Sequence, residues 1–523
     1  MKSLALFLRR NRAQLLTVTV LLFLLVVAIR GMEPTDASVT ILRGLSVAAV
    51  TFLVASGFSL IFGLLDVLNL AHGTLFMIGA YVGWMVYIRP DTFLDILTPI
   101  CLIASAFVLL PLWDFLANRL HGKKVVNKLW PWIGMLVAAA LLYYSLQAYP
   151  ITIWDAGVYS QSPGTYSLMA DTGSRLIPAP VTFGAASPML VILGIIAGSI
   201  LLAFSLAGLQ TKNSSGQAKQ TLRLPWTFIA GFTALLVGGI LILLFNTPLT
   251  TLIVGLGSNW LFFLAILVAF GTGFFLGSFI ESTLIRPLYS RPIYQLMITL
   301  GLSAVGIELV RAIWGRSEFT MPKPEIFNGA GENCPATSIL GALRDHCSTI
   351  FFMDSRIRIY NEVLIPVVGV LVLIGIWLLL KKTRIGMVIR AGVQDREMVE
   401  ALGINVRKVF TFVFALGVAL ASLGGILAGP SMGLSASMGD SMILNALIAL
   451  AIGGLTSYPG AAAGSLLVGL LQQFIIKYGQ IGITLPFLSE PFMPSPPLVP
   501  ASTVLLMVII LLVLPNGLFG RKE

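Results

Sequence analysis

Asn69 and His72 stand in Leu68-Asn69-Leu70-Ala71-His72-Gly73, a polar interruption between the apolar stretches Phe58 to Leu65 and Leu75 to Tyr87. An amide and an imidazole at this spacing can hydrogen-bond a small polar solute at a broken or re-entrant helix entrance. The same side chains can equally tie two helices together, with the histidine neutral and satisfied at their interface. Bond-making chemistry needs more than this. His72, His121 and His346 fall in three separate regions, so no metal-ligand spacing can be written and no metal site is expected. A phosphate loop, G-x-x-x-x-G-K followed by Ser or Thr, does not occur; Gly122-Lys123-Lys124 lacks both the earlier glycine and the hydroxyl residue. The chain is therefore expected to bind no cofactor itself and to catalyse no reaction.

The solvent decides which elements position these residues. Of 523 residues 57% are hydrophobic and only 11% charged, where a soluble domain carries about 25% charged. Neither a water-soluble globule nor a disordered chain has this composition, and 3 cysteines are too few for a disulfide scaffold. The expected fold is an all-α, polytopic helical membrane bundle. Apolar runs long enough to cross begin at Leu15, Val39, Leu70, Leu94, Leu129, Met189 and Trp226, then at Trp260, Ile293, Val363, Val409, Ser441, Ala461 and Ser502, about fourteen in all. Leu15 to Ile29 has the shape of a signal peptide, but no small-residue cleavage site follows, so it is counted as an uncleaved span. Placing both termini in the cytoplasm puts most of the 33 Lys and Arg on the inner side. The net charge of +11 is then topology, and no nucleic acid is expected as a partner.

On this topology the long loops Pro150 to Pro188 and Gly315 to Glu362 face outward. The second holds Cys334 and Cys347, both on the oxidising side, so a disulfide between them is expected; two unpaired thiols are the alternative. Inside lies the largest basic loop, 381–408, with apolar residues at Ala391, Val393, Met398, Val399, Ala401, Leu402 and Ile404. Their spacing predicts a helix near Gln394 to Leu402, stopped by Gly403. Gly429, Gly453 and Gly454 permit close backbone approach or local unwinding, which suits either a narrow path or tight packing. Asp66, Asp114, Glu281, Glu308 and Lys477 are the scattered intramembrane charges. Most are expected at span ends reachable by solvent, and Glu308 is expected to pair with Arg311. A proton-coupled secondary transporter would instead carry a connected row of such groups, so that class stands as the alternative.

Several stretches together resemble the permease subunits of bacterial ABC importers of the branched-chain amino acid type, the LivH side of the LivH and LivM pair. In order they are Leu68 to Tyr81, Glu281 with Arg286-Pro287-Leu288, Ile298-Thr299-Leu300-Gly301-Leu302-Ser303, and Thr383 to Gly386 with Arg390-Ala391. Ala401 to Asn405, Ala451 to Ala461 and Pro515 to Gly520 follow. The likeness implies an extra N-terminal span in 1–38, a permease core in 39–90 and 251–523, and a membrane-embedded insertion of about four spans in 91–250. It also implies alternating access driven by separate ATPase subunits, which would use ATP and Mg. Within 381–408 it marks Gly386, Arg390, Ala391, Asp395, Glu400, Ala401, Gly403 and Ile404 as the coupling segment. The polar break and the glycine-rich pieces give Asn69, His72, Gly73, Gly429, Gly453 and Gly454 as the candidate substrate pathway. The implied partners are a second permease subunit, LivM-like or a second copy, two ATP-binding subunits, a periplasmic substrate-binding protein and the lipid bilayer. Branched-chain amino acids lead as solutes, with urea or short amides as alternatives, and the implied location is the bacterial inner membrane.

Overall fold

The computed structural model describes residues 12–119, 124–150, 187–211, 225–289, 291–316, 320–394, 396–483 and 490–520, with the single residues 183 and 318. Most of the loops Pro150 to Pro188 and Gln210 to Leu224, and the expected coupling residue Asp395, lie outside the described residues.

The described chain is almost wholly helical. In order the helices are α1 (Arg12–Arg30), α2 (Pro34–Leu65), α3 (His72–Ile88), α4 (Pro90–Val108), α5 (Leu110–Arg119), α6 (Lys124–Ala148), α7 (Pro188–Thr211), α8 (Trp226–Leu244), α9 (Asn246–Val254) and α10 (Ser258–Ile280). After them come α11 (Pro292–Trp314), α12 (Ile339–Arg344), α13 (Ile365–Lys382), α14 (Arg384–Gln394), α15 (Arg396–Ala401), α16 (Val406–Met432), α17 (Met438–Gly453), α18 (Tyr458–Ile481) and α19 (Leu498–Val513). Among the described residues, 10 helices are long and apolar enough to cross a membrane. Shorter apolar helices lie at Thr19–Arg30, His72–Ile88, Met438–Gly453 and Leu498–Val513. This is a polytopic helical membrane protein.

Two local expectations change. The crossing expected over Leu94 to Leu116 is two helices, α4 and α5, meeting at Leu109 just before Pro111, whose missing amide hydrogen cannot continue the helical ladder. The helix expected near Gln394 to Leu402 is described on either side of Asp395 as α14 and α15, and it begins ten residues earlier than expected, at Arg384. Thr383 starts it, with a hydroxyl that accepts from the Gly386 amide at 3.1 Å. Gly403, at φ +80°, ends it as the spacing predicts.

The chain divides into two compact units, one of residues 1–87, 156–173 and 258–523, the other of 88–155 and 174–257. In the first, α2 is the central helix. Pro34 and Asp36 in its first turn favour initiation, and Asp66 in left-handed conformation ends it. Its 32 residues rise about 48 Å, and apolar residues surround it on every side. Such a helix must be buried, and Leu53, Val54 and Ala55 are fully so. It packs against α13, α16, α17 and α18. Between α11 and α13 a small module carries the antiparallel strands β1 (Thr349–Phe352) and β2 (Ser355–Arg358) and the Cys334–Cys347 disulfide, with Cα atoms 5.4 Å apart. Ala342, Ile350 and Ile357 form its core with Val39 of α2.

In the second unit α6 packs on α7 and α4 on α8. Trp130 and Phe204 meet at 4.9 Å between ring centres. Two of its buried carboxylates are paired: Asn246 donates to Asp95 at 2.8 Å, and Arg89 holds Asp91 at 2.8 Å.

Candidate functional site

The polar interruption is a true break. After Asp66 the chain leaves the helix, runs through Val67 to Ala71, and re-enters helix at His72. His72 lies beside the interior of α2, with Nε2 3.1 Å from the carbonyl of Val54 and the ring edge-on to Phe58. Val54 lies eleven residues before the end of α2, about 16 Å along its axis. The first turn of α3 therefore starts at the depth of the α2 interior rather than at its end.

Freed backbone groups at such a break need partners. Thr299 of α11 supplies them, accepting from the Leu70 amide at 3.3 Å with its hydroxyl 3.4 Å from the Leu68 carbonyl. Four residues on, Ser303 meets Thr74 at 2.6 Å. The side-chain oxygen of Asn69 accepts from the Ala71 amide at 3.1 Å, closing a local turn. On the opposite side the backbone of α17 arrives: a Cβ on Gly73 would lie 2.3 Å from the carbonyl oxygen of Gly439. The two short helices α3 and α17 thus bring their first turns together, and each end carries the partial positive charge of a helix N-terminus.

Two buried groups at the break lack partners among the described residues, Nδ2 of Asn69 and Nδ1 of His72. Since a carbonyl only accepts, Nε2 of His72 carries the proton toward Val54, and Nδ1 of the neutral ring is an acceptor. One orphaned donor and one orphaned acceptor are what an ammonium–carboxylate solute would use.

The expected pathway residues do not all gather here. Asn69, His72 and Gly73 are together. Gly429 lies near the far end of α16, where a Cβ would meet Sδ of Met321 at 2.7 Å. Gly453 and Gly454 end α17, fourteen residues from Gly439 and about 21 Å along the helix. There the carbonyl of Gly453 accepts from the Phe519 amide at 2.9 Å, and Gly454 takes φ +108°. Sequence reasoning missed Thr299, Ser303 and Gly439 as supports of the break. Hydroxyls at i and i+4 in an otherwise apolar helix were the signal for the first two.

The expected coupling residues from 381–408 that are described lie on α14 and α15 and in the turn after them. A Cβ on Gly386 would fall 2.3 Å from the carbonyl oxygens of both Leu379 and Leu380, so only glycine fits against that helix end. Arg390 donates to the Leu380 carbonyl through Nη1. Glu400 accepts the Gly403 amide with its backbone oxygen at 3.0 Å, and Ile404 follows, exposed, as is Ala401. Ala391 and Val399 turn inward onto Val406 and Phe410 of α16, Tyr289 and Leu65. Met398 and Leu402 of the same segment are exposed. Leu65 and Tyr289 also belong to the cluster that holds Val67 and Leu75, which flank the break. The segment and the break therefore share two side chains.

Comparison with known proteins agrees with this architecture. Residues 221–514, more than half of the chain, match the family described as branched-chain amino acid transport system / permease component. The high-affinity branched-chain amino acid transport system permease protein LivH of Salmonella typhimurium is 26% identical over 52% of this chain and 79% of its own length. BraD of Pseudomonas aeruginosa, with the same description, is 31% identical over 33% of this chain and 51% of its own. The fructose import permease protein FruF of Bifidobacterium longum is 29% identical over 22% of this chain and 34% of its own. No solved structure matches the chain. With its many apolar helices, this chain belongs to the family of permease components of branched-chain amino acid transport systems and is a multi-pass protein of the bacterial inner membrane.

Proposed function

We propose that this chain is a transmembrane permease of an ABC importer that passes branched-chain amino acids inward by alternating access, powered by two separate ATP-binding subunits docked on 381–408. One observation carries the reading. The α14–α15 segment buries Ala391 and Val399 against Leu65 and Tyr289, which also pack around the broken helix, while Met398 and Leu402 stay exposed for a partner. A push on the exposed side therefore has a packed route to the break, since close-packed interiors transmit displacement.

At the break, the converging first turns of α3 and α17 suit a carboxylate, and the free Nδ1 of His72 suits an ammonium. No fixed counter-charge is needed for a zwitterion, which fits a chain with few intramembrane charges. A second permease, LivM-like or another copy, and a periplasmic substrate-binding protein complete the proposed assembly.

The test is reconstitution in vesicles with the cognate ATP-binding subunits and binding protein. Leucine should stimulate ATP hydrolysis and accumulate inside, and Gly403→Val or Arg390→Glu should abolish that stimulation while membrane insertion persists. Accumulation by this chain alone, driven by a proton or sodium gradient, would overturn the reading. Uptake of urea in place of leucine would move the substrate class and keep the mechanism.

A further inference from the structure

Glu281 is the charged side chain that departs furthest from expectation. Placed by sequence at a solvent-reachable span end, it is fully buried. The reason is local. At Glu281 the α-helix α10 widens into a single π turn, Glu281–Ile285, in which the Arg286 amide bonds back to the Glu281 carbonyl. In an α-helix residues five apart point about 140° away from each other; the wider turn brings i+5 over i, and such insertions recur at functional sites. The Arg286 guanidinium consequently folds onto the carboxylate, with Nη2 2.7 Å from Oε2 and Nε 3.2 Å from Oε1.

Two more donors complete the shell. Tyr289 donates its phenol to Oε1 at 2.7 Å, and the Thr411 hydroxyl of α16 stands 2.7 Å from Oε2 and 2.6 Å from Nη2 of Arg286. One carboxylate thereby joins the end of α10, the first turns of α16 and the aromatic ring of Tyr289. That ring stands edge-on to Phe410, 6.3 Å between centres, and is one of the two side chains shared between the coupling segment and the break.

Resting on the function proposed above, we infer that Glu281 is a positioning residue for coupling: its carboxylate locks Tyr289 and the base of α16 to α10, so that displacement of α14 and α15 reaches the 66–71 break instead of dissipating. It touches neither solute nor nucleotide. A buried carboxylate with four polar contacts is held rigidly, because moving any partner leaves a charge unpaired in a medium that cannot solvate it.

The experiment compares wild type, Glu281→Gln, Tyr289→Phe and Glu281→Asp in the reconstituted complex, with radiolabelled leucine as the probe. Three quantities are read: co-purification of the ATP-binding subunits, basal ATP hydrolysis, and leucine transported per ATP. We expect Glu281→Gln to assemble and hydrolyse ATP at the basal rate while leucine per ATP falls about ten-fold. Tyr289→Phe should fall in the same direction by about three-fold, and Glu281→Asp should recover part of the loss. Unchanged leucine per ATP in Glu281→Gln, or a parallel loss of assembly and basal hydrolysis in both Glu281→Gln and Tyr289→Phe, overturns the inference. A wild-type complex that shows no ATP-coupled leucine uptake overturns the underlying function instead, so the two failures are distinguishable.

Discussion

The two compact units join their helices in different ways. In the unit of 1–87 and 258–523, backbone meets backbone: a Cβ on Gly57 of α2 would lie 2.2 Å from the carbonyl oxygen of Gly417 on α16, and one on Gly464 of α18 would lie 1.9 Å from that of Ala449 on α17. In the unit of 88–155 and 174–257 the closest glycine approaches are to side chains. There a Cβ on Gly194 of α7 would meet Oγ of Ser145 at 2.1 Å, and one on Gly134 of α6 would meet Oγ of Ser205 at 2.3 Å. A hydroxyl tip can rotate away, whereas a carbonyl inside a helix moves only with its helix. Close backbone contact thus gives the first unit fixed helix positions around the break, and the second unit has more tolerance. The residues that carry the proposed route all lie in the first, as does most of the family match over 221–514.

The largest effect should come from breaking a backbone contact. Gly57→Ala forces α2 and α16 apart and is expected to destabilise the protein by about 3 kcal/mol, the upper part of the range for overpacking. Thermal unfolding in detergent, followed by loss of monodisperse protein, would show it. An unshifted transition would mean that the α2–α16 contact is looser than the geometry indicates.

Thr299→Val should have a middling effect, because it keeps the shape and removes the hydroxyl that serves the Leu70 amide and the Leu68 carbonyl. A lost buried hydrogen bond costs about 1–3 kcal/mol when the partner stays unsatisfied. Here the expected sign is a weaker apparent affinity for leucine in the vesicle assay with little change in assembled complex. Reduced assembly at unchanged affinity would place Thr299 in the scaffold alone.

The smallest effect is predicted for Gly194→Ala. Rotation of Ser145 should accommodate the methyl group within about 0.5 kcal/mol, and Ser145→Ala combined with it should restore even that. A shift as large as that of Gly57→Ala would erase the contrast between the units.

Much of this was legible in the residues. Length and hydropathy announced a bundle of apolar helices, because a bilayer requires them whatever they pack against. The polar run Leu68 to Gly73 announced the break, since few other reasons place Asn and His between two apolar stretches. Gly403 announced the end of α15 through its left-handed backbone. The rest depended on distant parts of the chain. Nothing near Gly453 says that its neighbours are the residues after Pro515, and nothing near Gly73 points to Gly439. Glu281 was misjudged for a different reason: its partner at i+5 faces away in the helix that periodicity assumes, and only the π turn reverses that.

Sequence alone, then, determined the solvent, the helical class, the place where a helix must break and the family, because these follow from local composition and short motifs. Tertiary structure alone decided which helix supports the break, that α3 and α17 start against each other, and that a carboxylate is sealed at the junction of α10 and α16. Those outcomes rest on contacts between residues as much as 366 positions apart, such as Gly73 with Gly439 and Gly57 with Gly417, and only close packing brings such residues into contact.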